Sequence, residues 1–227
     1  MTAFAIIPAA GLGRRFGTTK QFQKIRGKPV LWWTLSSFEQ SDQIAGVCLL
    51  LPEAEIESGR KLVEKSGFKK VSRILAGGEE RQYSVQKGFR AIPPCECVVV
   101  HDGVRPFVTP EMIGRTLDAA VRYGASVLGT PVTATLKEVS QGFVTRTTDR
   151  SKLWNIQTPQ AFQYEILKKA LEAAEKDRFT GTDEAMLVER LGLPVKVLEG
   201  NPYNVKITTP EDLVFFEWVF RDKEMSR

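Results

Sequence analysis

The sequence predicts a single α/β domain, a mostly parallel sheet flanked by helices, interrupted by one inserted β-arm. Short β-rich apolar runs alternate with longer stretches of helical period, the pattern of βαβ units. A chain of 227 residues fits one domain of that class. At 42% apolar and 26% charged residues, with 18 glycines and 12 prolines, the composition is that of a globular chain with a real core.

Taken in order, the expected strands are Phe4 to Ile7, Val47 to Leu51, Val71 to Ala76, Cys97 to His101 and Ser126 to Val132. Between them, apolar residues recur at helical spacing: Leu31, Leu35 and Phe38, then Val85, Phe89 and Ile92, then Ile113, Leu117 and Val121. Thr109 before Pro110 reads as a helix cap and Gly124 as the stop. After Val132 the alternation breaks. Leu136 to Val139 and Phe143 to Thr147 form a plausible hairpin across Ser140, Gln141 and Gly142, an arm spanning about residues 133–150. Helices are expected again at Glu165 to Glu175 and Thr182 to Leu191, then strands at Val195 to Leu198 and Val205 to Thr208. A last helix from Pro210 should turn Leu213, Val214 and Trp218 inward. No linker or repeat divides residues 1–227, so one domain is expected throughout.

Several function classes are excluded by composition. No apolar run approaches the roughly 20 residues of a membrane helix. The apolar start is followed by Arg14 and Arg15, which inverts the charge order of a secretory signal. Three cysteines, without paired Cys-x-x-Cys spacing, support neither a disulfide framework nor a structural zinc site, and a reducing cytoplasm is the expected home. One histidine cannot build a two-histidine metal centre. The net charge of +5 is spread over scattered Lys and Arg without a basic block or interleaved aromatics, which favours a phosphorylated small molecule over nucleic acid.

Three segments at strand ends could carry chemistry. Pro8 to Phe16 follows the first strand with small residues and glycines, where open α/β sheets bind ligands. It matches neither the dinucleotide fingerprint nor the ATP-type loop. A tight turn explains the glycines equally well, but Arg14, Arg15 and Lys20 tip the balance toward a triphosphate. Gly77 to Ser84 follows the third strand; alone it reads first as a flexible turn with an acidic helix start, and second as a base pocket in which Ser84 offers a hydroxyl. His101 to Phe107 closes the fourth strand, where Asp102 could hold Mg²⁺ or merely cap a turn. His101 is read as a satisfied core or loop residue.

These segments carry a family resemblance. Ala9-Ala10-Gly11-x-Gly13-x-Arg15, Lys20-Gln21-Phe22, Gly77-Gly78-x-x-Arg81-x-x-Ser84-Val85, His101-Asp102-x-x-Arg105-Pro106-Phe107, Asp149-Arg150, Thr158-Pro159-Gln160, Thr182-Asp183-Glu184-Ala185 and Asn204-Val205-Lys206-Ile207-Thr208 occur in this order along nearly the whole chain. The set resembles the 2-C-methyl-D-erythritol 4-phosphate cytidylyltransferases of the non-mevalonate isoprenoid route. Ribitol 5-phosphate cytidylyltransferases are similar to it too, so the acceptor stays open between the two, and an inactive nucleotide-binding module is the alternative from another class. Ala134 stands where the family usually has Asp, and Gly103 and Val104 where two alanines are common.

The resemblance implies a Rossmann-like nucleotidyltransferase domain that binds CTP over the Gly11 and Gly13 loop. It further implies that Ala9, Ala10, Gly78, Glu79 and Ser84 read cytosine, and that Mg²⁺ sits near Asp102. Arg15, Lys20 and Lys206 would be catalytic; Arg105, Thr182 and Lys206 would cradle the sugar-alcohol phosphate. Thr135 and Arg150 would join them from the arm of a partner in a homodimer.

Overall fold

The computed structural model describes residues 2–11 and 19–225. In chain order the strands are β1 (Ala3–Pro8), β2 (Lys24–Ile25), β3 (Lys28–Pro29), β4 (Ile44–Leu51), β5 (Val71–Ala76), β6 (Cys97–Val100), β7 (Ala125–Pro131), β8 (Leu136–Ser140), β9 (Phe143–Thr148), β10 (Trp154–Gln163) and β11 (Lys196–Glu199). The helices are α1 (Val30–Gln40), α2 (Ile56–Ser66), α3 (Arg81–Ala91), α4 (Pro110–Tyr123), α5 (Tyr164–Lys176), α6 (Glu184–Arg190) and α7 (Pro210–Met225).

Among the described residues, the main sheet has seven strands in the order β11-β7-β10-β6-β1-β4-β5. All are mutually parallel except β10, which runs antiparallel to both neighbours, β6 and β7. The central parallel strands β1, β4 and β6 are legible as apolar runs because both of their faces are covered, whereas the edge strands β5 and β11 are partly exposed. Alternation divides them between two cores. Ala5, Ile7, Leu49, Leu51 and Val99 meet Leu31, Phe38, Ile113 and Leu117 of α1 and α4 on one face. Ile6, Cys48, Leu50, Val98 and Val100 meet Val85, Phe89, Leu167 and Val188 of α3, α5 and α6 on the other. A third cluster ties α7 to the loops through Ile25, Val104, Phe107, Ile207, Phe216 and Val219.

The predicted caps of α4 are present. Thr109 Oγ1 accepts from the Met112 N–H at 3.2 Å, and Gly124 ends the helix at φ +91°, where a side chain would be strained. In the arm, β8 and β9 pair with each other across Gln141 and Gly142, both at positive φ, the backbone of a tight hairpin turn.

Four expectations need correction. Val205 to Thr208 is not a strand: it makes a single sheet-like bond, Ile207 N–H to the Val104 carbonyl at 2.9 Å, and lies as a loop against α7. Val121 is 41% exposed, because a residue eight positions after Ile113 falls about 80° round the helix from it, and Ala120 takes the inward place. On α7, Val214 and Trp218 face outward while Phe216 and Val219 are buried; Leu213 is half-buried. The fourth is the strand β10, which sequence reading does not foresee at all.

β10 is hidden by its polarity. Its central residues, Gln157, Thr158, Pro159 and Gln160, do not look like a strand, yet all three polar ones are buried. Each has its partners. Gln157 Nε2 donates to the Asn201 carbonyl at 2.9 Å, while Gln160 Nε2 donates to Asp183 at 2.8 Å and its Oε1 accepts from the Ala185 N–H at 3.2 Å. The ladder to β7 shifts register between Gln157 and Gln160, which leaves the Thr158 segment free to serve the site rather than the sheet.

Candidate active site

The carboxyl ends of β1, β4, β5 and β6 open onto one cleft of about 760 Å³, a volume suited to a ligand of nucleotide size. Its wall is made by the loops that follow these strands. The loops after β1 and β5 approach closely: a Cβ added at Gly77 would lie 2.2 Å from the Ala10 Cβ, so only glycine permits that contact. Gly103 plays the same part against Ala9, where the corresponding distance is 2.7 Å.

The loop after β5 is held in shape by Ser84. Its Oγ accepts from the Gly78 N–H at 3.0 Å and donates to the Glu80 carbonyl at 3.3 Å. The hydroxyl expected to meet a base is therefore engaged in ordering its own loop. Lys87 adds a second clamp, its Nζ donating to the Gly77 carbonyl at 2.8 Å.

Asp102 stands at the end of β6, 5% exposed, and gathers three cations. Arg81 Nε lies 2.9 Å from Oδ1; Lys206 Nζ lies 3.0 Å and Arg105 Nε 3.5 Å from Oδ2. Burial by itself would raise the carboxyl pKa, but Arg81, Lys206 and Arg105 outweigh it and hold Asp102 well below the usual carboxylate range. Asp102 is thus an anion throughout the neutral pH range, and its backbone N–H is fixed by Thr158 Oγ1 at 3.1 Å.

His101 is fully buried, and Thr158 makes its role structural. The Arg105 carbonyl, 3.3 Å from Nε2, can only accept, so the neutral imidazole carries its proton on Nε2; Nδ1 then accepts from the Thr158 hydroxyl at 2.9 Å, whose oxygen in turn accepts from the Asp102 N–H. Burial pushes this histidine down to about 3 despite the neighbouring Asp102, so it stays neutral. The sequence expectation of a satisfied core histidine holds.

Of the residues singled out in the sequence, Ala9, Ala10, Gly11, Gly78, Glu79, Ser84, Lys20, Asp102 and Lys206 all line the cleft. Gly13 and Arg15 lie outside the described residues. Arg105 sits behind the cleft wall, its Nη1 donating to the Asn204 carbonyl at 2.8 Å. Thr182 is exposed and turns its hydroxyl to the Met186 sulfur. Thr135 and Arg150 belong to the exposed arm, where Arg150 donates to the Thr133 carbonyl. Four further residues prove structural to the site although no role could be assigned to them in the sequence. Arg81 and Glu184 pair with each other, Thr158 braces His101 and Asp102, and buried Asn204 anchors the Lys206 segment through Nδ2 to the Thr158 carbonyl at 2.8 Å. Their signal was present only as letters within motifs, since each partner lies far away in sequence.

The sequence model of one family, 2-C-methyl-D-erythritol 4-phosphate cytidylyltransferase, matches residues 3–222. The chain belongs to that family. A cytidylyltransferase of this name from Geobacter metallireducens is 45% identical, with 98% of this chain and 99% of that protein aligned. Another from Geobacillus kaustophilus is 42% identical over 96% and 97% of the two chains. Among solved structures, the 4-diphosphocytidyl-2C-methyl-D-erythritol synthase from Anaerococcus prevotii superposes with a TM-score of 0.86 at 31% identity, covering 96% of each chain. The 2-C-methyl-D-erythritol 4-phosphate cytidylyltransferase from Thermus thermophilus gives 0.81 at 35% identity over 96% of this chain and 98% of that one. Membership in this cytidylyltransferase family agrees with the mostly parallel sheet and with a cleft at its strand ends.

Proposed function

We propose that the chain transfers the CMP unit of CTP to 2-C-methyl-D-erythritol 4-phosphate, releasing pyrophosphate, in isoprenoid precursor synthesis. The observation that carries the reading is the meeting of Lys20, Asp102 and Lys206 at one cleft of nucleotide size in a chain that matches the family from residue 3 to residue 222. An oxygen of the acceptor phosphate bonds to the α-phosphorus of CTP as the bond to the β-phosphate bridging oxygen breaks, and the electron pair leaves with pyrophosphate. The nucleophile is already an anion, so no strong base is required, and the barrier lies in bringing two polyanions together. Lys20 and Lys206 offset that charge, together with Arg15.

Asp102 fits a Mg²⁺ that takes most of its ligands from triphosphate and water, the habit of this ion. Among the described residues no group of three or more His, Cys, Asp or Glu side chains forms an all-protein cage. Lys206, whose side chain is 38% exposed against 24% for Arg81 and 12% for Arg105, is the cation able to yield Oδ2 to the metal. Bound there, Mg²⁺ would screen the triphosphate oxygens. A reducing cytoplasm suits the three free cysteines, whose thiols burial pushes up to about 11 at Cys48 and Cys95 and about 12 at Cys97. Among the described residues no helix is long and apolar enough to cross a membrane.

The enzyme works as a homodimer in which Thr135 and Arg150 serve the partner's site. In support, β8 and β9 hydrogen-bond only with each other in the sheet pattern, and Val139, Phe143 and Val144 are at least 60% exposed. A two-stranded arm of that kind is marginal without a packing partner, and a symmetric dimer covers both arms at once.

Two experiments test this reading. Pyrophosphate release, with each nucleoside triphosphate crossed against the two acceptors, should be fastest for CTP with 2-C-methyl-D-erythritol 4-phosphate in Mg²⁺; faster turnover of ribitol 5-phosphate would reassign the acceptor. Mixing Lys20→Ala and Arg150→Ala subunits should restore roughly a quarter of wild-type activity, since half the dimers are mixed and each of these has one intact site. No recovery after exchange is confirmed by mass would place Arg150 in its own subunit's site.

A further inference from the structure

Arg81 opens α3 and lies between two buried carboxylates. Its Nε donates to Asp102 Oδ1 at 2.9 Å and its Nη1 donates to Glu184 Oε1 at 2.8 Å. Glu184 opens α6, is 1% exposed and does not line the cleft. Its second oxygen, Oε2, is buried without a hydrogen-bond partner.

Stability gives no reason for this arrangement. Buried ion pairs and triads can often be replaced by apolar residues without loss, and an unpartnered buried carboxylate oxygen is a net cost. What the pair does supply is geometry. A guanidinium engaged through two of its nitrogens, at two carboxylates on different elements, has its plane and its reach fixed, which an ammonium cannot achieve. The fixed atom is the one that holds Asp102 Oδ1. The rotation of the Asp102 carboxylate is thereby set, and Oδ2 is left for Lys206 at 3.0 Å and Arg105 at 3.5 Å. Glu184 also takes a share of the Arg81 charge, which would otherwise fall wholly on Asp102.

We propose that Arg81 and Glu184 are positioning residues for cytidylyl transfer, a two-pronged brace that aims the Asp102 carboxylate. The inference rests on the reading of Asp102 and Lys206 given above.

The test measures kcat, the KM for CTP and the thermal midpoint for Asp102→Asn, Arg81→Lys, Glu184→Gln and the double variant Arg81→Lys/Glu184→Gln. Arg81→Lys keeps the charge and loses the two-pronged geometry, so kcat should fall about tenfold or more while KM for CTP stays within about threefold, as misalignment rather than lost affinity dictates. Glu184→Gln keeps an acceptor for Arg81 without its charge and should lower kcat less. The double variant should cost no more than Arg81→Lys alone, because the two act as one unit. A merely structural role would move the thermal midpoint and leave kcat per folded molecule unchanged. Wild-type kcat in Arg81→Lys overturns the proposal; if that variant does not fold, wild-type kcat in Glu184→Gln overturns it instead. Full turnover in Asp102→Asn would sink the site reading itself, whereas loss in Asp102→Asn with none in Arg81→Lys removes only the brace.

Discussion

Lys206→Ala lowers kcat by a factor on the order of 10² to 10³, the usual cost of losing one preorganised contact to transition-state charge, about 3 to 4 kcal/mol. Lys206 lines the cleft, and its ammonium is held 3.0 Å from Asp102 Oδ2. In the proposed reaction it would stand beside the non-bridging oxygens that gather negative charge while the phosphorus is partly bonded to both the arriving and the departing oxygens. In the ground state those charges are spread over separate phosphates, so removing the lysine should raise the KM for CTP far less than it lowers kcat. Lys20→Ala should behave in the same way. Steady-state pyrophosphate release against CTP concentration measures both quantities, and an unchanged kcat with only a raised KM would reduce either lysine to an anchor for bound phosphate.

Above the carboxylate range, acid should weaken the fold through His101. His101 is the only histidine in the chain, and in the folded state its pKa is depressed from 6.5 to about 3 by burial, against the pull of Asp102. Between those two pH values the unfolded chain binds a proton that the folded chain refuses. Stability is therefore full above 6.5 and falls as pH drops toward 3, with a slope of up to about 1.4 kcal/mol per pH unit. Asp102 acts in the same direction, but its share is lost only below the ordinary carboxylate range, near 3.9 in model peptides. Urea unfolding at a series of pH values gives the slope directly. His101→Asn should flatten it between pH 6.5 and 4.5, and a slope that survives this substitution would assign the acid sensitivity to other groups.

Much of the fold was legible because parallel strands buried on both faces announce themselves as apolar runs, as Cys97–Val100 does to within one residue. The helices α1 and α3 were read correctly for the related reason that each has one apolar stripe. α7 was misread because Leu213, Val214, Phe215, Phe216, Trp218, Val219 and Phe220 surround the helix with apolar side chains and leave no stripe to follow. β10 escaped because its polar residues are satisfied by Asn201, Asp183 and Ala185, partners that only the folded chain brings near. The site shows the same division. Its glycine loops and Asp102 sit at strand ends, where position alone suggests a ligand. The brace from Arg81 to Glu184 joins residues 103 positions apart, and no periodicity or spacing encodes such a pair.

The course of β10 has a mechanical consequence. The strand starts a few residues after the arm returns to the sheet and reaches Thr158 after about 14 Å of extended backbone, paired along that stretch with β7 and joined by β6 from Gln160 onward. The arm is therefore rooted in the same rod that presses a threonine hydroxyl against Asp102 and His101. A force applied at the root is carried along the β7-paired stretch as far as the register shift after Gln157, next to Thr158. Lengthening the tip around Gln141 and Gly142 leaves that rod untouched, whereas inserting a single residue between Trp154 and Gln157 would turn every following side chain to the opposite face and unseat Thr158.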